Sequence, residues 1–455
     1  MATRKEILFQ TLRHEKPDQT PWVPFTGVHA GRISGYTAAE QLTDGEKLYT
    51  SLMKVYQLYK PFGIPIMFDL QVEAECLGCD LTWADDCPPS VSSHPLDNGD
   101  ELEVPEDRKI PAKTDGRIPM ITDVMRRVKK EIGDEVALYG LICGPFTLAT
   151  HLRGNDIFMD MYDDEDPVIE LLDYTAQIVK TMADYYIEAG CDVIAIVDPL
   201  ISQISADFFE TFMNKPFTSI FNHIREKGKF SSFFVCGDAT RNIEGMCKTG
   251  PDAISVDENV DILAAKKISD SYNVTICGNI PLTTIMLHGN QQDNMKFAVN
   301  LLDSIEDKTN FILSPGCDMP YDVPEENAIG IAQAVLETDK VREMVKNYVA
   351  EDDDIEVELP DYANLSRPLV EVFTLDSATC AACQYMMGAA NEAKDSYGDK
   401  IDLVEYKFTL KENIARCKKM GVPNLPSLYI NGELKFRSLV PSKEELYAAI
   451  DAAMK

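Results

Sequence analysis

The sequence predicts an α/β protein, a (β/α)8 TIM barrel followed by a smaller α/β domain. Three observations lead there. Short, mostly apolar runs alternate with long helical patterns over residues 1–350, the pattern of a parallel sheet covered on both faces. Eight such runs occur, the number that closes a barrel. An acidic, proline-bearing linker at 351–367 then precedes residues 368–455, where the pattern changes. A doubly wound open sheet is the competing arrangement for the first body.

The chain opens with an amphipathic helix pattern, MATRKEILFQTLRHEKPD. The strand-like runs are 21–26 (PWVPFT), 64–69 (IPIMFD), 137–143 (ALYGLIC), 192–198 (DVIAIVD), 231–236 (SSFFVC), 253–257 (AISVD), 273–278 (NVTICG) and 310–314 (NFILS). Helical patterns fall at 39–60, 117–132, 166–189, 206–227, 260–270 and 324–348. Residues 80–115, rich in Pro, Asp and Ser, read as an insertion between the second and third units. The second body begins with a strand and a turn, then a helix that opens on Cys380-Ala381-Ala382-Cys383. The strand IDLVEYKF, a helix at 410–420, the run VPNLPSLYING, the run ELKFRSL and a last helix, SKEELYAAIDAAMK, follow.

Composition narrows the function. The chain has 43 Lys+Arg against 75 Asp+Glu, a net charge of −32. Such a surface repels phosphate backbones and anionic lipid, which argues against nucleic acid or membrane as the main partner. Its plainest consequence is solubility. No run of about 18 apolar residues is present to cross a bilayer. The amino terminus lacks the apolar core and cleavage site of a signal peptide. Twelve cysteines without an export signal point to a reducing cytoplasm, where they serve in a core, a metal site or catalysis.

Chemistry in such a barrel collects where strands end. In order, these ends carry His29, Asp69, Cys143, Asp198, Cys236, Asp257, Asn279 and Cys317. Helix capping is the alternative use for the Asp and Asn among them. Cys236 and Cys317 lie 81 residues apart, at the ends of the fifth and eighth strands, so both thiols can face the barrel mouth. Two thiolates neutralise a zinc ion, and an incoming thiol bound beside them is presented as a nucleophile. By spacing alone, two such cysteines are more often core residues.

Residues 1–349 resemble the uroporphyrinogen decarboxylase superfamily. The stretches that carry the resemblance are RKEILFQTLRHEKPDQTPWVPF, FDLQVEAECLG, GPFTLATHLRG, AGCDVIAIVDPLIS, CGDATRNIEGM, ISVDENVDILAAKK, CGNIPLTTIMLHG and SPGCDMPYDVPEENA, in that order. Within the superfamily they are most similar to corrinoid-dependent methyltransferases of the methylcobamide:coenzyme M type, which bind zinc through a His-x-Cys motif and a distant Cys. The resemblance implies Cys236 and Cys317 as zinc ligands, a separate corrinoid-binding protein as partner and methyl carrier, and a thiol or related acceptor. The histidine of the motif is replaced by Phe234. Glu75, Asp198, His29 and His151 are the candidates to stand in for it. As strand-end carboxyls, Asp69, Asp198 and Asp257 are candidates for acid–base roles; the resemblance implies Asp69 and Arg32 as contacts to the tetrapyrrole, and Glu75 and Asn279 are further cofactor-binding candidates.

Two other functions stay open. The decarboxylase branch uses an arginine-rich segment that HAGR (29–32) echoes only in part, with Val28 where its first arginine would stand. A porphyrinogen's many carboxylates need more cations than this thinned motif offers. The other alternative is a thiol–disulfide redox protein with an inactive barrel. A C-x-x-C at a helix start after a strand is the thioredoxin-like redox pattern, and the resemblance to thioredoxin and glutaredoxin-like domains extends to Pro426, at the cis-proline position. It implies Cys380 as nucleophile and Cys383 as resolving thiol. Cys76 and Cys79 form an isolated C-L-G-C, a weak metal signal, and Cys87, Cys143, Cys191, Cys247, Cys277 and Cys417 read as packing residues. The expectation is a cytoplasmic, zinc-assisted methyltransferase with an attached dithiol domain.

Overall fold

The structure is a computed structural model that describes residues 2–454 except 98, 100, 351–354 and 379. The first four residues of the expected linker thus lie outside the described residues.

Seven parallel strands form one sheet in sequence order: β1 (Gly63–Pro65), β4 (Ala137–Cys143), β5 (Val193–Val197), β6 (Phe230–Val235), β7 (Ala253–Val256), β8 (Thr275–Ile280) and β9 (Phe311–Pro315). In the insertion, β2 (Leu81–Thr82) and β3 (Ser90–Val91) make a short antiparallel pair. The eighth barrel position belongs to the run at 21–26, reduced to one bridge. Trp22 pairs in parallel with Leu313 of β9, and Phe62 N–H donates to the Trp22 carbonyl beside β1. Pro21 and Pro24 supply no N–H, so this segment cannot sustain a longer ladder. It nonetheless links the two edges of the sheet, and the barrel closes.

The strands are buried on both faces, as their near-continuous apolar runs require. Alternation along β6 shows the two layers. Phe233 points outward, stacked at 4.1 Å on Phe217 of the helix Asn214–Glu226. Phe234 points inward against Phe25 at 4.7 Å and Phe68 at 5.6 Å. The helix expected over 39–60 is two, Ala38–Thr43 and Gly45–Tyr59, because Asp44 caps the second through the N–H groups of Glu46 and Lys47. The pattern over 324–348 likewise divides into Glu325–Leu336 and Thr338–Met344.

The C-terminal body is a four-stranded sheet in the order β11-β10-β12-β13, built from β10 (Leu369–Thr374), β11 (Asp402–Lys407), β12 (Ser427–Ile430) and β13 (Glu433–Arg437). β10 runs parallel to β11 and antiparallel to β12. The helix Ala381–Tyr397 starts at the dithiol, and Cys380 is its N-cap, its sulfur accepting from Cys383 N–H at 3.3 Å. The Leu425–Pro426 peptide is cis.

This body docks on the end of the barrel where the strands finish. Ala382 and Tyr385 are buried in the barrel's apolar cluster, and Tyr385 meets Phe158 edge-on. His151 Nδ1 lies 3.3 Å from the Tyr385 hydroxyl, Gln384 donates to the Val91 carbonyl, and His288 Nε2 lies 2.8 Å from the Thr409 carbonyl. Asn424 Nδ2 donates to the buried Asp238 carboxylate at 2.7 Å. The barrel residues in these contacts follow β4, β5's neighbour β6, and β8 or lie in the insertion, so the small domain sits over the mouth.

Candidate active site

Cys236 immediately follows β6 and Cys317 lies two residues past β9. The curled sheet brings them together, with Cα atoms 5.7 Å apart, and their sulfurs are joined in a disulfide. The expected meeting of the two sulfurs at the mouth therefore holds, but their use as zinc ligands does not: sulfurs bonded to each other are not thiolate donors. The chemistry around them agrees. On β6, residues 234 and 236 share a face, so a histidine at 234 would point beside Cys236. Phe234 instead fills that space within the Phe25–Phe68 aromatic cluster.

Each of the four stand-in donors has at least one partner already, although His151 Nε2 is buried without one among the described residues. Glu75 accepts from Arg117 Nε at 2.8 Å. Asp198 is spent on backbone and hydroxyl donors, described below. His29 Nε2 lies 2.7 Å from the Tyr59 hydroxyl and its Nδ1 lies 3.1 Å from the Tyr321 carbonyl, and burial lowers its pKa to about 4. His151 faces Tyr385 of the docked domain, and burial lowers it to about 3. Among the described residues no group of three or more His, Cys, Asp and Glu side chains is placed to hold a metal. The residues present do not fit a zinc ion in this arrangement.

The carboxylates at the strand ends have structural partners. Asp198, fully buried after β5, accepts from Phe146 N–H at 2.9 Å, Thr147 N–H at 3.1 Å and Thr147 Oγ1 at 2.6 Å. It thereby caps the helix Pro145–Arg153 of the neighbouring unit, whose own N-cap is Gly144. Burial raises its pKa to about 7 despite these donors. Asp257 accepts from Asn259 N–H and Nδ2, and burial raises it too. Asn279 spends its amide on the Asp257 and Val260 carbonyls, holding the loop after β7. Arg32 lies on the rim, half exposed and paired with Asp322 at 3.0 Å.

Asp69 is buried after β1 and pairs with Arg117 Nη1 at 2.5 Å, so one guanidinium ties Asp69 to Glu75. Two further carboxyls escape sequence reasoning. Glu73 is 1% exposed, and no other side chain hydrogen-bonds to its carboxyl among the described residues; only backbone N–H groups, its own and that of Cys143, approach it. Burial, with Asp69 nearby, raises its pKa to about 8. Asp318, next to Cys317, is held well above the ordinary carboxyl value by burial and by the Asp69 charge. Its Oδ1 is unpartnered among the described residues. Glu73 and Asp318 sit beside the motif residues Glu75 and Cys317, and that adjacency was the available signal.

In the small domain, burial and the neighbouring Cys380 thiol push Cys383 well above its ordinary pKa. Cys380 is only half buried and caps the helix. Cys380 thus stands in front of the more deeply buried Cys383.

Comparison with known proteins follows the same two parts. The uroporphyrinogen decarboxylase (URO-D) family matches residues 3–338, and a thioredoxin domain matches residues 369–451. The methylcobamide:CoM methyltransferase MtbA of Methanosarcina acetivorans is 29% identical over 352 residues, covering 76% of this chain and 98% of the relative. A uroporphyrinogen decarboxylase from a Wolbachia strain of Brugia malayi is 28% identical over 278 residues, covering 59% of this chain and 76% of the relative. The solved structure of a methyltransferase from Methanosarcina mazei shares the fold, with a TM-score of 0.67 and 23% identity over 74% of this chain and 99% of that one. Among the described residues no helix is long and apolar enough to cross a membrane. With a seven-stranded parallel sheet closed by the bridge at Trp22 and a separate dithiol-bearing sheet over its mouth, the chain belongs to the uroporphyrinogen decarboxylase family and carries a C-terminal thioredoxin-like domain.

Proposed function

We propose that this chain is a methyltransferase that moves a methyl group between a corrinoid on a separate protein and a small thiol, in a cytoplasmic setting, with the thioredoxin-like domain as an attached dithiol reductant. The observation that carries the reading is the match of the barrel to nearly the full length of methylcobamide:CoM methyltransferases. The decarboxylase alternative is less well served by the site. Arg117 is already engaged by Asp69 and Glu75, and Arg32 by Asp322. A polycarboxylate substrate would have to displace those pairs.

In the proposed reaction the thiol loses its proton, its sulfur bonds to the methyl carbon, and the electron pair of the broken bond stays with the carrier. A base must take the proton, and it works best with a pKa near the working pH. Glu73, at about 8 and without a side-chain hydrogen-bond partner, suits this better than Asp69, Asp198 or Asp257, whose oxygens are engaged. Asp69 with Arg117 then orients the segment that carries Glu73. No step is routed through the zinc expected from the resemblance, because the donor set with Cys236 and Cys317 joined in a disulfide does not fit it.

The test is to incubate the full chain with methylcobalamin and a small thiol such as coenzyme M, following the corrinoid spectrum and the thioether by mass spectrometry. Loss of the methyl–cobalt absorbance with thioether formation is expected. Carbon dioxide released from uroporphyrinogen, without methyl transfer, would replace this reading with the decarboxylase.

A further inference from the structure

We propose that the Cys380–Cys383 dithiol acts on the barrel's own Cys236–Cys317 bond, so that the two domains carry out an intramolecular thiol–disulfide exchange at the mouth. The inference rests on the dithiol role given above and names its substrate. Of the twelve cysteines, nine are buried, and the three that are not are Cys236, Cys317 and Cys380. Cys236 lies two residues before Asp238, which holds the small domain through Asn424, and Cys380 opens the helix whose Ala382 and Tyr385 are buried on the barrel.

The docking contacts aim the reactive end of the domain at this disulfide. Asp238, two residues past Cys236, holds Asn424, two residues before Pro426. The register of β10 against β12 pairs Phe373 with Ser427, so Pro426 lies across from Thr374. Leu375, next along, donates its N–H to Cys383 Sγ at 3.3 Å. The loop that grips the strand-end segment carrying Cys236 is therefore the loop packed beside the dithiol. Helix residues Ala382 and Tyr385, buried on the barrel, fix the start of the helix from the other side.

The exchange balances as follows. The Cys380 thiolate attacks one sulfur of the Cys236–Cys317 bond, forming a mixed disulfide and releasing the other sulfur as a thiolate. Cys383, after losing its proton, attacks Cys380. The Cys380–Cys383 disulfide forms, and two protonated thiols remain on Cys236 and Cys317. Two electrons have moved from the small domain to the barrel. An external dithiol then reduces the small domain.

The experiment uses the full chain. Cys383→Ser protein, isolated without reductant, is alkylated and mapped by non-reducing peptide mass spectrometry. A peptide joining Cys380 to Cys236 or Cys317 is expected. Wild-type chain oxidised at Cys236–Cys317 is also reduced with a limiting dithiol, and the free thiols on those two residues are timed. The wild-type rate is expected to exceed that of Cys380→Ser at least tenfold and to be independent of protein concentration. If the Cys380–Cys383 pair reduces a small disulfide reagent but Cys236–Cys317 is reduced at the same rate in Cys380→Ser, or Cys380 is trapped on Cys87 instead, the exchange is overturned while the dithiol role survives. If it reduces neither, both fall.

Discussion

Glu73 and Asp318 are carboxyls placed where burial and Asp69 disfavour charge. For Glu73 the folded pKa of about 8 stands above the ordinary 4.5. The folded state thus keeps a proton that the unfolded chain gives up, and stability falls as pH rises from about 4.5 to about 8. Glu73→Gln removes this contribution. Urea unfolding is expected to find the variant close to wild type near pH 5 and more stable by on the order of 2–4 kcal/mol near pH 8.5. Equal pH dependence in the two proteins would show that Glu73 is not the titrating group. Asp318 fixes its neighbour in turn. A Cβ on Gly27 would stand 1.9 Å from Asp318 Oδ1, and Gly27 has φ of +39°, which other residues adopt at a cost. Gly27→Ala is expected to lose about 2–4 kcal/mol in the same assay. Adding Asp318→Ala should restore part of that loss, because the steric conflict goes while the backbone cost stays.

Elements show what was readable in the chain and what was not. Asp198 ties two barrel units together by capping the helix Pro145–Arg153 from the end of β5. Asp198→Ala leaves the Phe146 and Thr147 N–H groups and the Thr147 hydroxyl without this acceptor. A loss of about 2–4 kcal/mol in urea unfolding is expected, with faster amide hydrogen exchange confined to that helix. In the sequence Asp198 is visible as a strand-end carboxyl, with helix capping as its alternative use. Its partner was not visible, because the capped helix belongs to the neighbouring unit. The strands were legible because strands buried on both faces are written as continuous apolar runs. The run at 21–26 was over-read, since its two prolines remove ladder donors that hydrophobicity alone does not count. The helix Gln291–Ser304 was missed although Asn290 and Asp293 form a capping box before it. Of the site, the meeting of Cys236 and Cys317 followed from barrel topology. Whether they hold each other or a metal depended on Phe234 and on four distant side chains. The isolation of Glu73 likewise arises only from the packing of several elements.

At the scale of the molecule, the docked domain covers the face through which a corrinoid protein has to reach the barrel. On the proposed reading, the contacts that serve exchange between the dithiol and Cys236–Cys317 oppose methyl transfer, and the domain would have to move aside on the segment around 355–367, which has no helix or strand. The hold is partly polar. Asn424 donates to a buried Asp238, and Arg437 adds a longer contact at 3.8 Å. Asn424→Asp replaces that hydrogen bond by two carboxylates in a poorly hydrated interface, where like charges repel strongly. Apart from Ala382 and Tyr385, which pack into the barrel's cluster, the small domain has a core of its own, so the substitution is expected to loosen docking without unfolding either. Limited proteolysis should cut the 355–367 segment several-fold faster than in wild type. Reduction of Cys236–Cys317 through Cys380 should slow by a similar factor, while methyl transfer from a corrinoid-carrying protein should rise or hold. A variant with faster cleavage but unchanged exchange would show that the exchange does not need the docked state, and a fall in methyl transfer would show that the domain helps to receive the carrier rather than blocking it.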